Sequence, residues 1–260
     1  MEELGLDRPA FFFPINLSYQ PDGASRIEDL GNPYPTVFDT QLAAASAARG
    51  AGLIDEAGGL WRLTAKGQAF LKRFRTEVDA YFATLEPIPR ADLARLATLL
   101  GEALRSIERS DLPKDHIKRI ARYRGDDKSP MAMLDTAVFG LWQARDDCHI
   151  ASWRAAGFTG PVFDVLTRLW RKEAASEAEL ASKLSGQRPE DIHSALVLLR
   201  GDGLVRDDGL ETTERGSAVR QEIEDETDRR FFAPWPPDVA REASWIGRHL
   251  VAVNSALAPA

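Results

Sequence analysis

The chain has 260 residues, 44% of them apolar and 28% charged, with a formal net charge of −7 and a pI near 5.3. That balance excludes a disordered or fibrous chain and a surface that is basic all over. A single cysteine, Cys148, excludes an intramolecular disulfide and a four-cysteine zinc cluster. No apolar run approaches the roughly 18 residues of a membrane span, and the acidic start MEELGLDRP lacks the positive charge of a secretory leader, so a cytoplasmic protein is expected.

In chain order, residues 9–20 (PAFFFPINLSYQ) read as extended, with Pro14 discouraging a helix. Ile27 and Leu30 fit a short helix, and Val37, Phe38, Leu42 and Ala45 fit another. Gly52-Leu53-Ile54 and the turn Ala57-Gly58-Gly59 predict a hairpin. Leu63-Thr64-Ala65-Lys66-Gly67 then opens a helix through Phe70, Leu71 and Phe74.

The middle of the chain predicts two long amphipathic helices, at about 90–109 and 131–155; Leu134, Val138, Leu141, Trp142 and Ile150 mark the second. Between them a basic helix is expected over 114–124, where Lys114, Lys118, Arg119, Arg122 and Arg124 form the densest positive patch. Residues 86–155 hold 12 Lys/Arg against 11 Asp/Glu, whereas residues 1–85 hold 8 against 11 and residues 156–260 hold 13 against 18. A charge run of this size is most often a solvated face; the functional alternative is a phosphate-contacting or acidic-partner surface.

The C-terminal third is the most regular. Phe163, Leu166, Leu169 and Trp170 predict a helix over 161–172, and Ser176-Glu177-Ala178-Glu179 has capping-box spacing for a second over 177–184. After Gly186-Gln187-Arg188, Pro189 suits the first position of a third helix to about 201, with Ile192, Ala195, Leu196 and Leu199 buried and Gly203 closing it. Leu204–Arg206 and Leu210–Thr212 then predict a hairpin about Asp207-Asp208-Gly209, and Thr213 caps a helix that ends before Pro234-Trp235-Pro236-Pro237. A last amphipathic helix is expected over 239–257.

Leu180-Ala181, Leu196, Gly203-Leu204-Val205 and Thr213-Glu214-Arg215-Gly216 resemble the winged helix-turn-helix of MarR-type regulators over a little more than a quarter of the chain. Thr64 and Gly67 stand 149 positions before Thr213 and Gly216, which suggests a second, degenerate copy that lacks its first helix. The expected fold is therefore mainly α with small β-hairpin wings: tandem winged helix-turn-helix modules joined by a helical region. Its divisions are residues 1–85 (degenerate module), 86–158 (helical linker), 159–235 (winged helix-turn-helix) and 236–260 (terminal helix).

The resemblance implies a DNA-binding transcriptional regulator with double-stranded DNA as partner, a possible small-molecule effector and homodimer, and no membrane, cofactor or catalysis. The residues it points to are Arg188, His193, Ser194, Arg206 and Arg215, joined by Lys118, Arg119 and Arg122 of the basic segment. The alternative is a winged-helix scaffold that binds a small molecule or protein, because Glu190 and Asp191 start the third helix where phosphates would approach. Asp146, Asp147 and His149 invite a metal reading, but no second histidine stands within two turns, so a paired cluster is the simpler expectation. Cys148 is expected to be structural, and the six tryptophans to pack the core or line a cavity. No phosphate loop, HExxH pair or Gly-x-Ser-x-Gly turn occurs.

Overall fold

The computed structural model describes residues 5–27, 30, 38–117 and 129–258. Within them the chain is mainly helical, with one small antiparallel sheet in the order β1-β3-β2. Two compact units are formed: residues 1–67 with 149–227, and residues 68–148 with 228–260. Among the described residues, no helix is long and apolar enough to cross a membrane.

The first unit opens with α1 (Arg8–Ser18), in the segment expected to be extended. The Asp7 carboxylate caps it by accepting from the Ala10 N–H at 2.9 Å, and a proline occupies its first turn. Ala10, Phe13, Pro14 and Leu17 form one helical stripe and are buried. That burial outweighs the roughly 3 kcal/mol an interior proline costs a helix. The first helix thought to be missing from this half is therefore present. It packs against α2 (Phe38–Gly50), while the short helix expected about Ile27 lies partly outside the described residues.

Next come β2 (Ile54–Ala57) and β3 (Leu60–Leu63), paired through Ile54↔Leu63 and Asp55↔Arg62. The turn between them uses Gly58 and Gly59, both at positive φ. A two-residue strand, β1 (Ala24–Ser25), adds to the free edge of β3, a feature no sequence pattern announced. α3 (Ala65–Ala83) follows.

Among the described residues, the rest of the first unit from Gly160 on holds four helices and one bridge. α6 (Gly160–Trp170), α7 (Glu177–Lys183) and α8 (Pro189–Gly201) stand where expected, and α9 (Glu214–Phe232) follows. The capping box at α7 is only half formed. Ser176 Oγ accepts from the Glu179 N–H at 3.2 Å, but the Glu179 carboxylate takes the Ala175 N–H, at 2.7 Å, rather than that of Ser176. The expected second hairpin is likewise reduced to an isolated bridge, Val205↔Thr212, with one further bond from the Arg206 N–H to the Glu211 carbonyl.

α1 and α6 both have 11 residues, α2 and α8 both 13, and α3 and α9 both 19. The junctions match bond for bond. Thr64 Oγ1 donates to the Gly52 carbonyl at 2.7 Å and accepts from the Gly67 N–H at 3.0 Å; Thr213 Oγ1 does the same with Gly203 and Gly216 at 2.8 and 3.0 Å. Lys66 Nζ reaches the Ala51 carbonyl as Arg215 reaches that of Asp202. Between these fixed points the second copy is two residues shorter.

The second unit is a helical assembly of α4 (Arg90–Arg109), the first part of α5 (Pro130–Ala155), α10 (Pro237–Arg241) and α11 (Ala243–Leu257). Leu93, Leu96, Leu100, Leu104 and Ile107 of α4 share a core with Leu134, Leu141 and Cys148. Gly140 lets α5 come close to the Leu104 side chain. Val138 and Trp142, expected on the buried stripe, are exposed instead, because the stripe runs through Ala137, Leu141 and Ala144. The expected terminal helix is broken at Glu242 into α10 and α11, and Arg95 holds the break through an ion pair to Glu242 at 3.0 Å and a stack on Trp245.

Candidate nucleic-acid interface

The approach to α8 is held by a polar cluster on α6 and the turn after it. Arg168 lies 3.6 Å from Asp164 and 2.6 Å from Glu173, and Gln187 Nε2 sits 3.4 Å from the Pro161 carbonyl and 3.5 Å from Asp164. Burial raises the Asp164 carboxyl above its usual range despite Arg168, whereas the Arg168 hydrogen bond lowers that of Glu173. With Leu180, Leu184 and Leu199 buried against α6, the orientation of α8 is set by packing rather than by its own exposed residues.

The outer face of α8 is open. Glu190, Asp191, His193, Ser194, Val197 and Leu198 are exposed along it, and Arg188 is exposed at its start. Ser194 Oγ donates to the Glu190 carbonyl, and His193 Nδ1 lies 3.8 Å from the Glu177 carboxylate. At the other end, Arg200 donates to the carbonyls of Arg206 and Gly209, tying helix to bridge. Arg206 is exposed but 3.4 Å from Asp208.

Arg215 is committed to the Asp202 carbonyl, where it satisfies the end of α8. The five candidates of this module thus divide: Arg188, His193 and Ser194 lie on the helix face, Arg206 beside the bridge, and Arg215, also exposed, at the junction. Lys118, Arg119 and Arg122 lie outside the described residues. A groove of about 810 Å³ runs beside the bridge, lined in part by Leu169, Lys172, Arg206, Leu210 and Glu211.

The acidic cluster on α5 is not one site. Asp147 is buried and accepts from the backbone N–H groups of His116 and Ile117 and from His116 Nδ1, the last at 2.7 Å. Asp146 lies 4.0 Å from His116 Nε2. His149 instead lies 3.2 Å from Thr227 Oγ1 and packs on Phe163. Among the described residues no group of three His, Cys, Asp or Glu is arranged to hold a metal. Cys148 is fully buried, and burial, reinforced by the Asp147 charge, pushes its thiol up to about 11, far from the range of a reactive thiol. Trp153 is buried in a stack on Phe163, and Trp142 is 65% exposed.

Sequence reasoning assigned no structural role to Arg220. Only 1% exposed, it pairs with Glu224 at 2.6 Å, donates to Thr167 Oγ1 at 3.0 Å, and lies over the rings of Phe163 and Trp170. The available signal was its place on the buried stripe of α9, between Gly216 and Ile223. An arginine there must carry its own partners.

Residues 127–260 match a family model described as a helix-turn-helix family, so the chain belongs to a helix-turn-helix family. The matched region contains α7, the turn and α8. No curated protein and no solved structure is significantly similar to the chain.

Proposed function

We propose that the protein is a winged-helix DNA-binding protein of the transcriptional-regulator type, working in the cytoplasm on double-stranded DNA. The observation that supports it is the uncovered outer face of α8, presented by a packed helix–turn–helix and followed by a hydrogen-bonded return. In this reading α8 enters the major groove with His193 and Ser194 toward base edges, while Arg188 and Arg206 contact phosphates at its two ends. Lys118, Arg119 and Arg122 supply further phosphate contacts. Two repeated modules in one chain serve the purpose that single-module regulators achieve by dimerising, and the groove beside the bridge is the place for an effector.

Fluorescence anisotropy on a labelled mixed-sequence duplex, from about 50 to about 200 mM salt, tests this. Binding that weakens log-linearly with salt is expected. Binding at the lowest salt no stronger than that of an acidic control protein overturns it.

A specific observation supports a second reading, a scaffold for a protein partner. Residues 189–216 hold seven carboxylates against three arginines, and Val197 and Leu198 are 54% and 57% exposed on α8. Such a face suits an apolar segment flanked by basic residues, and its binding is salt-sensitive without any duplex.

A further inference from the structure

We propose that the principal DNA-contacting face belongs to the first copy, on α2 and the β2–β3 hairpin, which the family match does not reach. The inference rests on the DNA-binding reading above and assigns the larger share of the contact to the first copy, leaving α8 the weaker of the two faces.

Structural equivalence comes first. α2 and α8 have the same length and the same hydrogen-bonded exit: the Leu53 N–H to the Ala48 carbonyl at 3.1 Å, and the Leu204 N–H to the Leu199 carbonyl at 2.8 Å. Ala44, Ala45 and Ala48 are buried as are Ala195, Leu196 and Leu199. By the same alignment Ser46 stands where Val197 stands, and both are exposed. Whatever α8 offers to a groove, α2 offers from the same position.

Charge then separates them. Residues 38–67 carry three cations and three carboxylates, while the equivalent residues 189–216 carry three cations and seven carboxylates. Phosphate repulsion therefore falls mainly on the second copy. Within the first copy Arg49 lies 3.6 Å from Asp55 and 3.9 Å from Glu56, which offsets the two hairpin acids, and Arg62 is exposed on β3. Arg26 places its guanidinium at the hairpin turn, within 3.0 Å of where a Gly59 side chain would begin.

Shape agrees. Among the described side chains, the exposed positions of α2 are Thr40, Leu42, Ala43, Ser46, Ala47, Arg49 and Gly50, most of them small. Small side chains let the helix backbone approach a groove floor, and Thr and Ala suit the thymine methyl group. The exposed hairpin, a ladder rather than a lone bridge, is the better formed of the two wings.

The test places one carboxylate at each equivalent, exposed position of the full-length protein. Ser46→Glu is expected to weaken duplex binding about tenfold or more, and Val197→Glu by less than about threefold. Arg62→Ala serves as a second variant of the first copy and should lower the salt slope by about one. Far-ultraviolet circular dichroism and thermal melting confirm folding of each variant. A loss from Val197→Glu equal to or larger than that from Ser46→Glu overturns this assignment while leaving DNA binding intact. No duplex binding by the wild-type chain overturns both readings.

Discussion

Replacing Gly216 with alanine tests the junction on which both copies depend. In an ordinary helix interior alanine is favoured over glycine by about 1 kcal/mol. Here a Cβ on Gly216 would lie 2.0 Å from the Leu204 carbonyl oxygen and 2.9 Å from its carbon, and both are backbone atoms that no rotamer change can move. Separation to the 3.0 Å floor of real contacts requires about 1 Å of movement. The Leu204 carbonyl also accepts from the Thr213 N–H at 3.0 Å, and the Leu204 N–H donates to Leu199 at 2.8 Å. Loosening these two buried bonds costs about 1–3 kcal/mol each. After subtraction of the propensity gain, a net loss of about 3 kcal/mol is expected, or a fall in Tm of about 6 °C for a chain of this size. Gly67→Ala should behave alike, since its Cβ would lie 1.9 Å from the Leu53 oxygen. Gly247→Ala, on α11 with nothing within 4 Å, should instead be neutral or stabilising. Differential scanning calorimetry on the three variants decides the matter. A Gly216→Ala protein as stable as Gly247→Ala would refute the reasoning.

Arg220→Ala should destabilise by about 3–5 kcal/mol in urea, because it leaves the Glu224 carboxylate without its closest cation and empties the space over Phe163 and Trp170; a loss under about 1 kcal/mol would contradict the partnership. Cys148 should resist thiol reagents at pH 8 in the folded protein and react fully in denaturant. Its folded pKa, about 11, lies above the ordinary value, so its contribution to stability is complete below pH 9 and is lost as pH rises toward 11. Cys148→Ala should therefore flatten the alkaline fall in stability measured by urea titration, and an unchanged slope would count against the buried-thiol assignment. Glu173→Gln should make stability less sensitive to acid, since the Arg168 bond lowers its carboxyl and that stabilisation is lost as pH falls through the folded value; a wild-type acid limb in a urea–pH series would exclude the contact.

By itself the sequence determined the elements whose signals are local. The stripe Ile192, Ala195, Leu196, Leu199 and the turn residues around Pro189 and Gly203 place α8 to the residue, because period and capping depend on neighbours within one or two turns. The Thr64–Gly67 and Thr213–Gly216 echo was legible for the same reason. It identified a junction that proves equal down to its hydrogen bonds. Tertiary structure decided the rest. Most of residues 9–20 lie in a helix because a buried apolar stripe outweighs an interior proline, and that stripe has value only once α2 covers it. Arg215 reads as an exposed cation after a wing, and the fold adds a bond from its guanidinium to the Asp202 carbonyl, 13 residues earlier. Arg220 is buried because Glu224, Thr167 and two aromatic rings close around it. In each case the energy that decides comes from a partner distant in sequence, and only the folded chain supplies it.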